Sequence, residues 1–327
     1  MGIDAARLEQ ASRFIEEYCP TRLSLLVVRH GKLAFERYYH GGRADQANNI
    51  MSMSKSVLSV LVGVALEEHL LRSVDQRLDE LLPEIFRLGD DPRKHSITLR
   101  HLLTMSAGLQ WQELSPAADA VFSARDWPRA VMELPLVSEP GVEFNYNSGL
   151  SHLVSCILAR SSGMSTRAFA EKRLFRPLGI RCTRWRRDPQ GNYIGGWNVW
   201  MTARDLAKFG LLVLREGQWN GRTIVSRGWV RESTDVHIRN RGAVPQFGDY
   251  GYLWWRRGLG GQDVILASGY GGQNVFLVPA LDLMVVTTAR SDLKPPETAY
   301  RQAYEIAGKF VIPAVTLRAT PAPGPTP

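Results

Sequence analysis

The sequence contains no run of 18 apolar residues, and its first 18 residues lack a basic stretch followed by an apolar one. A helix needs roughly 20 apolar residues to cross a bilayer, and a secretory signal combines a basic and an apolar region. We therefore expect neither a membrane span nor a signal peptide.

Cysteine is also scarce. Cys19, Cys156 and Cys182 are the three cysteines of the 327 residues, and their spacing matches no metal site. An odd number does not make a disulfide framework, and Cys156 lies in an apolar helical pattern typical of a buried thiol. These features favour a reduced, cytoplasmic compartment.

Seven histidines form no H-x-x-x-H pair or other metal-ligand spacing. His101 and His152 lie in helical patterns, where a buried, hydrogen-bonded imidazole is the expected role. The sequence also lacks a G-x-S-x-G motif, which argues against a Ser-His-Asp triad. We predict no metal and no cofactor.

Lysine and arginine outnumber aspartate and glutamate by 40 to 32, which gives a net charge of +8. The densest basic cluster runs from Arg181 to Arg187, but no nucleic-acid-binding signature accompanies it. We interpret the excess as an arginine-rich surface and expect no nucleic-acid or membrane partner. The expected partner is a small molecule, and the sequence leaves the oligomeric state open.

Strand-like and helical patterns alternate along the chain and predict an α+β fold with a sheet built from both chain ends. Strands are predicted over 23–28, 33–38, 252–255, 263–267, 274–278 and 283–288. Helices are predicted over 1–18, 52–71, 98–105, 148–161, 202–215 and 296–310, with Gly108 closing the third. The Pro-rich segment 319–327 is predicted to be disordered.

Ser52-Met53-Ser54-Lys55 matches the S-x-x-K pattern. Side chains three residues apart on a helix share one face, so the hydroxyl of Ser52 and the amine of Lys55 can meet. A serine at a helix N-terminus also lies where free N–H groups favour developing negative charge. The alternative is a capping serine followed by a solvated lysine, although Lys55 precedes the apolar stripe of a predicted buried helix.

A lysine that acts as a base must be neutral, and at a reference pKa of about 10.4 only about one amine in 2,500 is neutral at pH 7. Burial, or a partner that shares the proton, increases the fraction of neutral amine. Tyr146 is a candidate partner, because it lies in a turn-rich loop that leads into a helix. On the residues alone, a packing role is the favoured interpretation of Tyr146.

Five segments together resemble the β-lactamase-related serine hydrolases, in which they occur in the same order. This family includes class C β-lactamases, DD-peptidases, family VIII carboxylesterases and 6-aminohexanoate-dimer hydrolases. The resemblance covers residues 23–310. The segments are Ser52-Met53-Ser54-Lys55-Ser56, 97–105 (ITLRHLLTM), Pro140-Gly141 with Phe144-Asn145-Tyr146, 201–210 (MTARDLAKFG) and 268–273 (SGYGGQ).

The resemblance implies the penicillin-recognising β-lactamase/DD-peptidase fold as a single catalytic domain over 1–318. An α/β lobe would comprise about 1–45 and 200–318, a mostly helical lobe about 46–199, and the active site would lie between them. It also implies that Ser52 is acylated while Lys55 and Tyr146 exchange its proton. The backbone N–H groups of Ser52 and Tyr270 would form the oxyanion hole.

Two positions depart from the antibiotic-binding members of the family. Ser148 stands where they have the asparagine of a Y-x-N motif, and Ala267 stands before Ser268-Gly269 where they have a lysine or histidine. In those members the cation helps to bind a substrate carboxylate, which an alanine methyl cannot do. The sequence Gly269-Tyr270-Gly271-Gly272-Gln273 resembles the esterase and 6-aminohexanoate-dimer hydrolase branch more than the antibiotic-resistance branch.

The predicted substrate contacts are Ser148, Ser268, Gly269, Trp197 and Trp200, although core packing is an equally good interpretation of the two tryptophans. The leading hypothesis is a cofactor-free serine hydrolase that cleaves a small ester or amide through an acyl-enzyme. A β-lactamase or DD-peptidase is the first alternative. A non-catalytic binding protein on the same fold is the second.

Overall fold

A computed structural model describes residues 2–244, 247–292 and 296–315. Its strands, numbered in chain order, are β1 Arg22–Arg29, β2 Lys32–Tyr38, β3 Asn48–Asn49, β4 Arg184–Trp185, β5 Val199–Met201, β6 Gln218–Trp219, β7 Arg222–Thr223, β8 Asp249–Tyr250, β9 Trp255–Leu259, β10 Gln262–Gly269, β11 Gln273–Val278 and β12 Leu283–Ala289.

The main sheet has seven antiparallel strands in the order β2-β1-β12-β11-β10-β9-β8. Its central strands β1, β11 and β12 are buried along their whole length, because helices cover both faces and the strands are rich in Val, Leu and Ile. A small sheet of order β3-β5-β4 lies beside it, and β6 pairs with β7. The sheet therefore draws on both chain ends, as predicted.

The α-helices are α1 Ala5–Tyr18, α2 Met53–Glu67, α3 Leu78–Leu81, α4 Leu99–Leu103, α5 Pro116–Ser123, α6 Trp127–Glu133, α7 Ser148–Ser162, α8 Thr166–Ala170, α9 Arg176–Leu178, α10 Ala203–Leu214, α11 Arg227–Thr234 and α12 Pro296–Glu305. One π-helical stretch joins α8 to α9, and another continues α12 to Val311. Short 3₁₀ turns occupy Pro83–Ile85, Pro92–Ser96, Pro279–Leu281 and Ile312–Ala314. This mixture confirms the α+β class.

Helix α2 is the central element of the helical part. Every residue from Met53 to Ala65 is buried, and the helix contacts α7, α11 and strand β10. Apart from Lys55, the residues of this stretch are small or apolar on all sides, as expected for a helix enclosed by other elements. Whatever α2 carries at its N-terminus is therefore held by the core.

Most predicted elements are present within a few residues, and two details are wrong. The strand predicted over 252–255 begins only at Trp255, because Tyr252 and Leu253 donate their N–H groups to Ser233 and Leu103 instead of to a neighbouring strand. Helix α4 ends at Leu103, and Met105 rather than Gly108 is the first residue after it in the left-handed region, with φ of 56°.

The three cysteines are buried and unpaired, as expected. His152 is fully buried against Asp188, and His101 accepts the Thr98 N–H at the start of α4. In the described part of the chain, no helix is long and apolar enough to cross a membrane. The segment 319–327 lies outside the described residues.

Candidate active site

Ser52 occupies the N-cap position of α2, at the end of a loop with a constrained backbone. Met51 has a φ of 52°, a left-handed conformation that is uncommon for a residue with a side chain and that tends to occur at functional sites. Its N–H donates to Asn49 Oδ1 at 3.1 Å, which supports this turn. The Ser52 side chain makes no capping hydrogen bond, so a capping role does not explain this serine.

Lys55 is 1% exposed. Its Nζ donates to Ser52 Oγ at 3.0 Å, to Ser148 Oγ at 3.0 Å and to the Gly196 carbonyl oxygen at 3.2 Å. The solvated lysine of the alternative interpretation is therefore not what the structure contains. Hydroxyl and amine lie at hydrogen-bond distance, as an activated nucleophile requires.

Tyr146 covers one side of this amine. Lys55 Nζ lies 4.8 Å from the centre of the Tyr146 ring, which stacks on Trp255 at a centroid distance of 5.4 Å. The next residue, Asn147, caps α7 by accepting the N–H groups of Gly149 and Leu150. The loop that carries Tyr146 thus ends in a fixed helix start.

The Gly196 carbonyl reaches Lys55 because the preceding chain packs directly on α7. A Cβ at Gly195 would lie 2.0 Å from the Ser151 carbonyl oxygen, so only glycine allows this approach. Upstream, Ser155 Oγ donates to the Tyr193 carbonyl at 2.7 Å, and Trp185 Nε1 donates to the Ile194 carbonyl at 2.8 Å. These bonds fix the position of the segment that contains Gly195 and Gly196 relative to α7.

Asp188 holds the start of this segment. It accepts His152 Nε2 at 2.9 Å, the Asn192 N–H at 2.8 Å and Asn192 Nδ2 at 3.0 Å. Burial opposes ionisation of this carboxyl, but the hydrogen bonds from His152 and Asn192 outweigh burial and hold its pKa below the usual range. The buried pair is thus an anchor between α7 and the Gly195-Gly196 segment.

The turn between β10 and β11 meets the Ser52 loop from the other side. A Cβ at Gly269 would lie 2.3 Å from the Ile50 carbonyl oxygen, so this strand end requires glycine to approach the loop. Tyr270 follows immediately. The turn is held from below by Arg22, which is fully buried and donates to the Gly272 carbonyl and, at 2.9 Å, to the Ala299 carbonyl.

The remaining predicted site residues lie around this centre. Ala267 is buried in β10, and the Ser268 hydroxyl donates to Asn274 Oδ1 at 2.8 Å. Trp197, next to Gly196, packs against Phe122 and Trp127. Trp200 lies in β5, with Arg184 over its ring and a 460 Å³ cavity beside it.

Three contributors were missed by the sequence analysis: Gly196, Arg22 and Glu113. Glu113 Oε1 accepts the Ser148 N–H at 2.5 Å and lies near buried Tyr250, whose pKa is raised by burial, with Tyr146 and Glu113 adding to the shift. The only sequence signal for Gly196 was the Gly-Gly pair itself. Lys55 and Gly196 are 141 residues apart, so no local pattern links them.

Across residues 2–244, 247–292 and 296–315, no group of three or more His, Cys, Asp or Glu side chains is arranged to hold a metal ion. The groups that meet at the site are the amine of Lys55, the hydroxyls of Ser52 and Ser148, the ring of Tyr146 and the backbone turn after Gly269.

This arrangement agrees with a family match over most of the chain. The family described as Beta-lactamase matches residues 21–308. The protein therefore belongs to the beta-lactamase family and is a hydrolase of that family.

Among individual relatives, the 6-aminohexanoate-dimer hydrolase of Paenarthrobacter ureafaciens is 28% identical over 86% of this chain and 75% of its own length. Lovastatin esterase of Penicillium rubens is 30% identical over 42% of this chain and 39% of its own length.

Solved structures share the fold at lower identity. EstCE1, a hydrolase with promiscuous acyltransferase activity, superposes with a TM-score of 0.73 at 18% identity, covering 92% of this chain and 98% of that one. The octameric penicillin-binding protein homologue from Pyrococcus abyssi gives 0.69 at 19% identity, covering 94% and 79%.

Proposed function

We propose that the protein is a serine hydrolase that cleaves a small ester or amide through an acyl-enzyme on Ser52. The observation that carries this proposal is the contact between Lys55 Nζ and Ser52 Oγ at 3.0 Å in a buried setting. A hydroxyl needs an adjacent base to attack a carbonyl, and this amine is at the required distance.

In the proposed reaction, Ser52 Oγ attacks the carbonyl carbon and its proton passes to the pair formed by Lys55 and Tyr146. The carbonyl oxygen becomes an oxyanion, which accepts the N–H groups of Ser52 and Tyr270. When the intermediate collapses, the pair returns the proton to the departing alcohol or amine. Water then attacks the acyl-enzyme by the same route, releasing the acid and Ser52.

The partners of Lys55 support the role of a base. Its hydrogen bonds go to two hydroxyls and a carbonyl, and no carboxylate of the described residues forms an ion pair with it. Neutral acceptors favour an ammonium less than a carboxylate would. A hydroxyl can both accept and donate, so the contact between Ser52 Oγ and Lys55 Nζ allows a proton to pass between them.

Position 267 and the named relatives support the substrate class. Ala267 supplies no cation, so β10 offers no charge to a carboxylate beside the scissile bond. One relative is named for an amide-type substrate and another as an esterase. We therefore favour an ester or amide without an adjacent carboxylate.

Labelling with a fluorophosphonate, read by mass spectrometry, tests the nucleophile. We expect one label per chain on Ser52, and no label in Ser52→Ala. Ser52→Ala should lower ester hydrolysis on the order of 10⁶-fold, and Ser52→Ala/Lys55→Ala should resemble either single variant because the pair acts as a unit.

Ser56→Ala is the matched control, since Ser56 lies on the same helix with its hydroxyl bound to the Leu253 carbonyl. It should keep both label and activity. Hydrolysis in Ser52→Ala above about one hundredth of the wild-type rate would remove Ser52 from the nucleophile role. An unlabelled wild type without hydrolysis would support a binding protein instead.

Carboxylate substrates test the choice of branch. A charge-assisted hydrogen bond is worth about 1.5 to 3 kcal/mol. The lack of a cation at position 267 therefore predicts that kcat/KM is roughly ten- to hundredfold lower for substrates with a carboxylate beside the scissile bond. We expect p-nitrophenyl acetate to react faster than nitrocefin by at least this factor. Equal rates would favour the β-lactamase or DD-peptidase alternative.

A further inference from the structure

A cavity of about 460 Å³ opens at one end of the main sheet. This end carries the C-termini of β2, β10 and β12 and the N-termini of β1 and β11, because these neighbouring strands are antiparallel. The turn that follows Gly269 lies at the same end. The residues of the cavity wall used below are Gln46, Asn48, Asn49, Trp200, Arg290 and Asp292.

The cavity shares its wall with the catalytic loops. Asn49 lines it and also accepts the N–H of Met51, the residue before Ser52. Ser291 lines it too, and its Cα would lie 3.0 Å from a Cβ placed on Gly271. The space therefore lies against the loop that leads to Ser52 and against the turn that contains Tyr270.

The cavity wall is rich in hydrogen-bond donors that lack good acceptors. The Trp200 indole N–H is buried and has no acceptor among the described residues. The side-chain amides of Gln46, Asn48 and Asn49 donate only across 3.4 Å, to Asn48, Gln46 and Asn198 respectively. Of these donors only the Trp200 N–H is buried, and the three amides are partly exposed. Donors without short hydrogen bonds favour a ligand that supplies acceptors.

The charges of the wall cancel. Arg290 pairs with Asp292 through contacts of 2.8 and 3.2 Å, so the two opposite charges offset each other. The Trp200 ring supplies an apolar face, although Arg184 covers part of it. Such a site suits a neutral, oxygen-bearing group.

We propose that this cavity binds a neutral part of the substrate that carries hydroxyl or carbonyl oxygens. The inference rests on the proposed function and narrows its substrate class to esters or amides with such a group beside the scissile bond. Trp200 and Gln46 determine specificity in this assignment, and the proton chemistry stays with Ser52 and Lys55.

Two matched ester pairs test the proposal and distinguish the two halves of the substrate. 2,3-Dihydroxypropyl butyrate against propyl butyrate varies the alcohol half, and propyl 2,3-dihydroxypropanoate against propyl propanoate varies the acyl half. The quantity compared is kcat/KM for the hydroxylated ester divided by kcat/KM for the plain ester. For the pair whose hydroxyls reach the cavity, this ratio should be about three- to tenfold lower in Trp200→Phe than in the wild type, because one or two hydrogen bonds are lost. Gln46→Ala should lower the same ratio.

Trp219→Phe is the control, because Trp219 lies in the separate β6–β7 hairpin and should leave both ratios unchanged. If neither Trp200→Phe nor Gln46→Ala changes either ratio while Ser52 is still labelled, the cavity assignment is overturned and the proposed function stands. Gln46→Ala decides the question alone if Trp200→Phe does not fold.

A binding measurement separates the two proposals. The Trp200 indole signal in a ¹⁵N–¹H spectrum is assigned by its disappearance in Trp200→Phe. In Ser52→Ala, titration with whichever hydroxylated ester responds should shift this signal but not that of Trp219. A shift supports the cavity even if Ser52 proves not to be the nucleophile, and no shift at saturation overturns it.

Discussion

At the scale of single residues, the chemistry depends on what surrounds Lys55. Its Nζ donates three hydrogen bonds: to Ser52 at the N-cap of α2, to the first residue of α7 and to the Gly196 carbonyl. Ser148 is one of the two positions, with Ala267, that depart from the antibiotic-binding members of the family. Its hydroxyl is 3.0 Å from the amine, so it positions Lys55.

We predict that Ser148→Ala lowers kcat/KM for an ester by roughly ten- to hundredfold. The substitution removes one acceptor of a buried amine, and a hydrogen bond to such a group is worth about 1.5 to 3 kcal/mol. Ser148→Asn should recover part of the loss, since its side-chain oxygen can accept the same bond. Steady-state kinetics measure both variants.

Ser161→Ala is the control on the same helix, because its hydroxyl bonds only to the Ile157 carbonyl near the other end of α7. It should behave like the wild type. Full activity in Ser148→Ala would show that this hydroxyl does not position the amine.

At the scale of elements, the site forms where α2, α7 and the β10–β11 turn converge. Arg22 at the start of β1 binds two carbonyls beneath that turn, and no carboxylate of the described residues pairs with it. Burial lowers the pKa of its guanidinium to about 10, which still leaves it charged at neutral pH. Because this buried charge binds two carbonyls beneath the turn, we infer that Arg22 fixes the position of the turn.

We predict that Arg22→Lys lowers kcat about ten- to hundredfold with a smaller change in KM. A single ammonium cannot span both carbonyls, and a shift of the Tyr270 N–H weakens the oxyanion contact, which acts mainly in the transition state. Steady-state kinetics and the rate of fluorophosphonate labelling measure this effect.

Arg29→Lys provides the comparison. Arg29 is buried at the opposite end of the same strand, about 23 Å away at roughly 3.3 Å per residue, and donates to the Gly2 carbonyl. Both variants lose a buried arginine contact, but only Arg22→Lys should slow labelling of Ser52. Equal slowing in both would assign the effect to stability.

At the scale of the whole molecule, the sheet and helices enclose one continuous core. Helix α10 lies close against this core at Gly210, where a Cβ would meet Met284 Sδ at 2.4 Å and Val275 Cγ1 at 2.7 Å. The short separation between helix and sheet thus depends on the lack of a side chain.

We predict that Gly210→Ala lowers the free energy of unfolding by about 1 to 3 kcal/mol, because the added methyl overpacks the core. Gly228→Ala in α11 should instead be neutral or stabilising by up to about 1 kcal/mol, since its nearest neighbour would be 4.0 Å away. Urea denaturation compares the two, and a larger loss in Gly228→Ala would contradict this packing.

The sequence by itself determined the class of the fold, most of its elements and the contact between Ser52 and Lys55, which we propose as the nucleophile and its base. These features are local: strand and helix periodicity repeats every two or 3.6 residues, and Ser52 and Lys55 share a helix face because they are three residues apart. The motif order carried the family resemblance for the same reason. The strand expected at 252–255 was wrong because its hydrogen bonds go to distant helices.

Only the tertiary structure decided what surrounds these residues. The Gly196 carbonyl is 141 residues away from Lys55, to which it is hydrogen-bonded. The Glu113 carboxylate is 35 residues from its partner Ser148, and the Arg22 guanidinium is 250 residues from its partner Gly272. The cavity beside Trp200 likewise joins segments from 23 to 292. Such contacts depend on how elements pack, and packing between distant segments leaves no periodic signal in the chain.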